Sequence, residues 1–466
     1  MTLPLQNSLA PRLAGLRRPK SALAWLVIAM IALWTESALA TTWYIRPDGT
    51  GDAPTIQAGV DAAAPGDVIL VAAGTYSATS TVNVGGTLTV VCVAIGKDVK
   101  LLSESGAALT TIGNLNAKVA VYVHDVGSSV EVKGFRIQTQ SQGYSCLQSP
   151  TQQIGAVPPP SIPRGIKCVN AGPKLWENDI SGNGVGLELV GAPAVVTGNA
   201  ISQALIGVGC YSGANATIST NTIHGCGEGV HCESSTVSID ANDMYDSCGA
   251  LYCIAGSSVV VSNNKIHDMY YISVDCGNSS AQVENNTFTN TNLAISLGAM
   301  TGSSDVRRNI FYNQISGAVS LSDNPNAQIT IEGNTVDLTT NGAAIFCQAG
   351  SSPVIQQNII VRSLVGIRCA LSSFPTTACN DIMATQNRYS GECADQTGMN
   401  GNISVDPQFC GIAGGGNYFL QADSPCAPGN HPGGADCGVI GALNVGCSVV
   451  SVKSATWGSV KAMYRK

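Results

Sequence analysis

Charged residues make up only 11% of this 466-residue chain and aromatic residues only 5%. So low a charge content excludes the composition of a disordered, self-repelling polymer. Thirty acidic against 23 basic residues leave a net charge of −7, and between residues 41 and 447 no stretch clusters Lys and Arg. That excludes the phosphate-contacting surface a nucleic-acid-binding protein needs. Long apolar runs are missing too: the longest, residues 22–34, holds thirteen residues, fewer than a comfortable membrane span. No long window shows apolar residues at helical spacing, which excludes a helical bundle.

What the chain has instead is a period. An Asn recurs about every 22 residues, with an apolar residue two places later: Asn178/Ile180, Asn199/Ile201, Asn221/Ile223, Asn242/Met244, Asn264/Ile266 and Asn286/Phe288. The series continues through Asn309/Phe311, Asn334/Val336, Asn358/Ile360 and Asn380/Ile382. Such a period is the mark of a stacked solenoid. About eleven residues after each Asn comes an inward–outward–inward triplet, such as Val230-His231-Cys232, Leu251-Tyr252-Cys253 and Val274-Asp275-Cys276. Period-two alternation marks a strand with one buried face. Two short strands at constant phase over ten coils require a chain that winds the same way each time. On these repeats the mature chain resembles the right-handed parallel β-helix proteins of the pectin-lyase-like superfamily. An all-β, right-handed parallel β-helix of about 22-residue coils is therefore expected. Stacked coils also explain the scarcity of charge, because like charges on successive coils would lie about 4.8 Å apart. The Asn column is read as structural: Asn tolerates left-handed turns and its amide hydrogen-bonds from coil to coil.

The ends read differently. Arg12, Arg17, Arg18 and Lys20, the apolar residues 22–34 and the small-x-small triplet Ala38-Leu39-Ala40 form the pattern of an export signal over residues 1–40. The expectation is a secreted, extracellular or cell-surface bacterial protein with no integral span once the signal is cleaved, and a monomer. Residues 41–80 read as an N-terminal cap with a short helix beginning at Pro54 or Thr55 and carrying Ile56, Val60 and Ala63 on one face. Its task is to cover the open edge of the first coil. Coils fill residues 81–400, broken by a long loop at 138–165 rich in Gln, Ser, Gly and Pro. Residues 401–447, with Asp406-Pro407, Ser424-Pro425-Cys426 and Gly438-Val439-Ile440-Gly441, resemble the closing cap of bacterial secreted β-helix proteins. Residues 448–466 are a basic, aromatic tail, read as a sorting or surface-attachment signal or a frayed end.

Seventeen cysteines fall into groups. Cys168, Cys210, Cys232, Cys253, Cys276, Cys347 and Cys369 share one inward register position with Leu189, Leu297 and Leu321. Interchange with Leu reads as a stack of buried, inert thiols. Cys226, Cys248, Cys379, Cys393, Cys410, Cys426, Cys437 and Cys447 are the disulfide candidates.

Enzymes of the resembled superfamily work on the outside of the strands, so the outward columns hold the candidates. One runs Lys167, Glu188, Gly209, His231, Tyr252, Asp275, Ser296, Ser320, Phe346, Arg368; a second runs Ser181, Ser202, His224, Tyr245, His267, Thr289. His231, Tyr252 and Asp275 occupy successive coils and form the catalytic candidate, a set able to remove and return a proton. Glu188, His224, Tyr245 and His267 are the substrate-binding candidates. Asp246 and Asp268, one coil apart, form either a carboxylate pair or a Ca²⁺ site completed by carbonyls. The basic cluster and Asp-rich set of pectate lyases and the three-Asp set of polygalacturonases are not evident. The reading is a protein that engages polysaccharide or a cell-surface glycan on its central coils without strong catalysis. The alternatives are a polysaccharide lyase, epimerase or glycoside hydrolase, and an adhesive surface rod.

Overall fold

The computed structural model describes residues 40–141, 143, 146, 158–411 and 416–447. Residues 1–39 of the expected export signal, half of the 138–165 loop and the 448–466 tail lie outside the described residues.

Three parallel sheets of 14, 13 and 14 strands run the length of the coils, and each coil gives one strand to each sheet. Sheet A begins at Thr42–Ile45 and ends at Thr376–Ala378, sheet B runs from Gly74–Tyr76 to Asp381–Met383, and sheet C from Ser80–Val84 to Asn387–Gly391. Every strand pair in these sheets is parallel except the hairpin between Ser80–Val84 and Thr87–Ile95. This is the expected right-handed parallel β-helix, with a third strand per coil. The sequence pattern marks only two, because the sheet A strand just before each Asn is as short as three residues and carries little alternation of its own.

The core follows from the repeat. The residue two places after each Asn points inward and stacks in register: Ile180 on Ile201, Ile223 on Met244, Ile266 on Phe288, Phe288 on Phe311. One apolar cluster runs unbroken from Ile45 to Tyr389. Each fully buried Ile, Leu, Val or Phe contributes about 1.5–3 kcal/mol, before the entropy of ordering it is subtracted.

The asparagines act through their amides. Asn221 donates its backbone N–H (2.9 Å) and its Nδ2 (3.0 Å) to Asn242 Oδ1, and Nδ2 also reaches Val196 O at 3.0 Å. The same contacts recur from Asn178 to Asn380, and Asn402 accepts the last of them. The left-handed backbone, however, belongs to the residue before each Asn: Glu177 (φ 55°), Thr220 (54°), Ala241 (54°), Arg308 (53°), Gln357 (56°). The corner reverses at that residue, and Asn then satisfies the backbone groups the corner strands.

At the N-terminus, helix α1 (Ile56–Ala62) is capped by Thr55, whose hydroxyl accepts from Ala58 N at 3.1 Å. Ile56, Gly59 and Val60 face the first strands. At the other end the chain does more than close the last coil. After Asn402 it forms the hairpin Phe409–Gly411/Asn417–Leu420 and folds back along the outer face of sheet B. There Ile403, Phe409, Tyr418, Leu420, Cys426, Cys437 and Ile440 build a second apolar cluster with the outward side chains of Ile359 and Val361.

The cysteines need three corrections. Cys369 is not a free thiol of the stack but is bonded to Cys393, while Cys168, Cys210, Cys232, Cys253, Cys276 and Cys347 are buried thiols. Cys226 is also a buried thiol, because it points into the core, and Cys248 instead takes Cys146 from the 138–165 loop. Cys426 is unpaired, its thiol donating to Asp381 Oδ2 at 3.2 Å. The remaining bridges are Cys379–Cys437 and Cys410–Cys447. Among the described residues no helix is long and apolar enough to cross a membrane.

Candidate functional site

Sheet C holds the expected catalytic column in the expected register: His231 pairs with Tyr252, and Tyr252 with Asp275. Its accessibility is the surprise. His231 is 0% exposed. Its Nδ1 lies 2.7 Å from Glu228 Oε2, and its ring sits between Tyr211 (5.4 Å) and Tyr252 (5.5 Å). Its Nε2 is buried and has no hydrogen-bond partner among the described residues. Tyr211 reaches this position by folding back over Gly209, where a Cβ would stand 2.5 Å from the tyrosine ring. Sequence alternation marked neither Glu228 nor Tyr211, because both lie at strand ends rather than at the outward triplet position.

Further along the column, Tyr252 and Asp275 are half-buried. Burial holds the Asp275 carboxyl above its ordinary range, against the lowering effect of its hydrogen bond with Ser296. Glu188, expected on the binding surface, is 1% exposed. It accepts from Arg164 Nε and Nη2 and pairs with Lys167 Nζ at 3.2 Å. Arg164 also donates to the carbonyls of Pro158, Pro159 and Ile162. The residues just before the sheet C strand Arg164–Val169 thus close over Glu188, which makes it a buried counter-charge rather than a ligand contact.

Sheet B carries the second column, half-buried. His224, Tyr245 and His267 stack face to face, at 4.9 Å and 3° and then 5.1 Å and 12°. In-register strands place equivalent side chains one strand spacing apart, so the rings cover each other's faces and turn their polar edges outward. His267 is held from both sides, by Asp268 Oδ2 at Nδ1 (2.6 Å) and by Asp243 Oδ1 at Nε2 (3.1 Å). The same hydrogen bond to His267 holds the Asp268 carboxyl below its ordinary range.

The two residues of the expected metal pair both stand at turns between strands. Asp246 (φ 49°) and Asp268 (φ 54°) both occupy left-handed corners, which Asp tolerates for backbone reasons. Asp268 is already engaged by His267 and by Asn290 Nδ2 at 3.1 Å. Among the described residues no three His, Cys, Asp or Glu side chains converge on one point.

Between the columns lies the corner from sheet B to sheet C. Tyr270 and Tyr271 stand on it, 64% and 40% exposed. Their backbone N–H groups donate to Ser247 O and Cys248 O of the preceding coil, so the Cys146–Cys248 bridge ties the 138–165 loop to this same corner.

This architecture is a right-handed parallel β-helix. Residues 164–311 match the family described as right handed beta helix region. No curated protein matches the sequence. Among solved structures, the Dettilon tailspike protein (gp208) is similar at 13% identity over 67% of this chain, with a TM-score of 0.46; the chain spans 66% of the tailspike. The A-module of mannuronan C-5 epimerase AlgE6 from Azotobacter vinelandii is similar at 13% identity over 76% of this chain and 95% of that one (TM-score 0.45). The GH136 lacto-N-biosidase from Eubacterium ramulus is similar at 12% identity over 83% and 72% (TM-score 0.43).

Proposed function

We propose that this protein engages polysaccharide outside a bacterial cell, on the outer face of its central coils. The observation that carries the reading is the exposed pair Tyr270 and Tyr271 on a corner flanked by two polar columns, His224–Tyr245–His267 and Tyr252–Asp275. A sugar ring presents an apolar C–H face and a rim of hydroxyls. Free tyrosine faces suit the first, and the outward edges of the stacked rings, with Asp243 and Asp275, suit the second. Four disulfides fit an oxidising compartment. The covered Nε2 of His231 favours recognition over proton abstraction by that residue, since a general base must reach the proton it takes.

The test is retention of the purified protein in gels containing acidic and neutral polysaccharides, alongside assays for new reducing ends and unsaturated uronate. Retention that falls on changing Tyr270 and Tyr271 to Ala supports the reading. Retention unaltered by that pair, or absent on the whole panel, ends it. A second reading, acid catalysis on a glycan, is favoured by the raised, half-buried carboxyl of Asp275. It predicts turnover that Asp275→Asn abolishes while retention persists.

A further inference from the structure

The two columns leave the central coils in opposite circumstances. On sheet B the outward positions after Thr289 are Tyr312, Asp337 and Val361, and the returning C-terminal segment covers them. A ligand following that face is stopped within about two coils of His267. On sheet C the outward positions after Asp275 are Ser296, Ser320, Phe346 and Arg368, and all of these are at least partly exposed.

That open stretch is hollowed at its far end. Leu293, Gly317, Ala343 and Val365 stack at one edge of the sheet, so Gly and Ala separate two larger side chains. The result is a cavity of about 190 Å³ above Val319 and Ser320, closed on the far side by Phe346 and Arg368. Its rim includes Gly342, where a Cβ would stand 1.8 Å from Ser316 O, so no larger residue can narrow it there without moving backbone. Arg368 is exposed, lies over the Phe346 ring at 5.3 Å, and forms no ion pair among the described residues. Arg362, one corner earlier, is by contrast held by two bonds to Asp337.

An unpaired guanidinium over an aromatic face, beside an apolar-floored cavity, matches a ring that carries an anionic group. We infer that the Phe346–Arg368 cavity is a subsite for an anionic sugar unit of the same glycan that the central coils engage. Four strand steps separate Asp275 from Arg368, about 19 Å. The ligand is therefore an acidic polymer lying along sheet C, and its charged group is either a carboxylate or a sulfate ester. This inference rests on the carbohydrate reading above.

The experiment is affinity electrophoresis of the full protein in a polyuronate, in dextran sulfate and in neutral dextran. The wild type is compared with Arg368→Gln, Arg368→Lys, Phe346→Ala and the Tyr270→Ala/Tyr271→Ala pair. The expected result is retention by at least one anionic polymer and little by dextran. Arg368→Gln then weakens retention roughly tenfold, and Arg368→Lys restores part of it. Which anionic polymer retains the protein tells carboxylate from sulfate. Arg368→Gln, at an exposed outward position, leaves the fold intact. Equal retention by dextran, or unchanged retention of Arg368→Gln while the tyrosine pair weakens it, overturns the anionic subsite and leaves the central-coil reading standing. Retention by none of the three overturns both.

Discussion

Tyr418 donates its hydroxyl to Asp337 Oδ2 at 2.7 Å, across 81 residues of sequence. Asp337 is an outward residue of sheet B, yet it is 0% exposed because the C-terminal segment lies over it. It also accepts two bonds of 2.6 Å from Arg362, so one buried carboxylate is shared by a coil and by the segment that covers it. The carboxylate pairing compensates its desolvation, and the surrounding apolar side chains keep water out. This latch helps fix how far the open face of sheet B extends.

Tyr418→Phe removes the latch hydrogen bond and keeps the packing. A bond to a charged group is worth about 1.5–3 kcal/mol, so docking of the segment should weaken by roughly tenfold or more. Faster proteolysis within residues 403–447, with no change in the coils, is the expected outcome. Equal cleavage rates would show that packing alone holds the segment.

The docking should also respond to pH. Burial raises the Asp381 carboxyl from 3.8 to about 6, although Val405 N and the Cys426 thiol donate to it and lower it in part. Asp406 raises it further and His431 lowers it. A folded value above the unfolded one means that the native state holds the proton more tightly. The contribution is therefore complete below pH 3.8 and is lost as pH rises through about 6. The full swing is about 3 kcal/mol. Hydrogen exchange in residues 403–411 should be slower at pH 4.5 than at pH 7.5 after correction for intrinsic rates, and Asp381→Asn should flatten that difference.

Asn264→Leu tests the amide file. It deprives Asn242 of its acceptor and leaves Ile239 O and Asn286 Oδ1 without their Nδ2 donor. Each buried polar group left unpaired costs about 1–3 kcal/mol. A melting temperature lower by several degrees, with glycan retention of the folded protein unchanged, is expected. An unaltered melting temperature would remove the amides from the account of stability.

Thiol counting checks the pairing. Nine cysteines are free and buried, and burial pushes the Cys226 and Cys347 thiols up to about 12. Alkylation of the native protein should therefore label almost none, and alkylation after unfolding without reductant should label nine. Seven or fewer would mean that neighbouring members of the stack, such as Cys210 and Cys232, are bridged.

Glu188→Gln separates a structural carboxylate from a binding one. It leaves Arg164, 3% exposed, without its counter-charge, and breaking such a buried pair costs about 3–5 kcal/mol. Reduced stability with normal glycan retention is expected. Lost retention at unchanged stability would return Glu188 to the binding surface.

How much of this was legible beforehand follows from geometry. The inward Ile, Val and Cys positions repeat with the coil, and a parallel in-register stack forces each to meet its own equivalent, so His231, Tyr252 and Asp275 were placed in one column correctly. Whether a column is open was not legible. Glu188 and His231 look like any outward residue of the repeat until residues 158–164 and the folded-back ring of Tyr211 are set over them. Cys248 was recognisable as a bridge candidate, but its partner Cys146 sits in a stretch without periodicity, where spacing carries no information.

The division is physical. The chain by itself determined the winding, the core register and the membership of each outward column, because these follow from hydrophobic alternation and a period of about 22 residues, both local properties that every coil restates. Which columns face solvent, which cysteines pair, and that the C-terminal segment seals sheet B while sheet C stays open depended on tertiary structure. Those outcomes rest on single contacts between residues that no repeat relates, such as Tyr418 with Asp337 and Arg164 with Glu188, and they exist only once the coils have brought distant segments together.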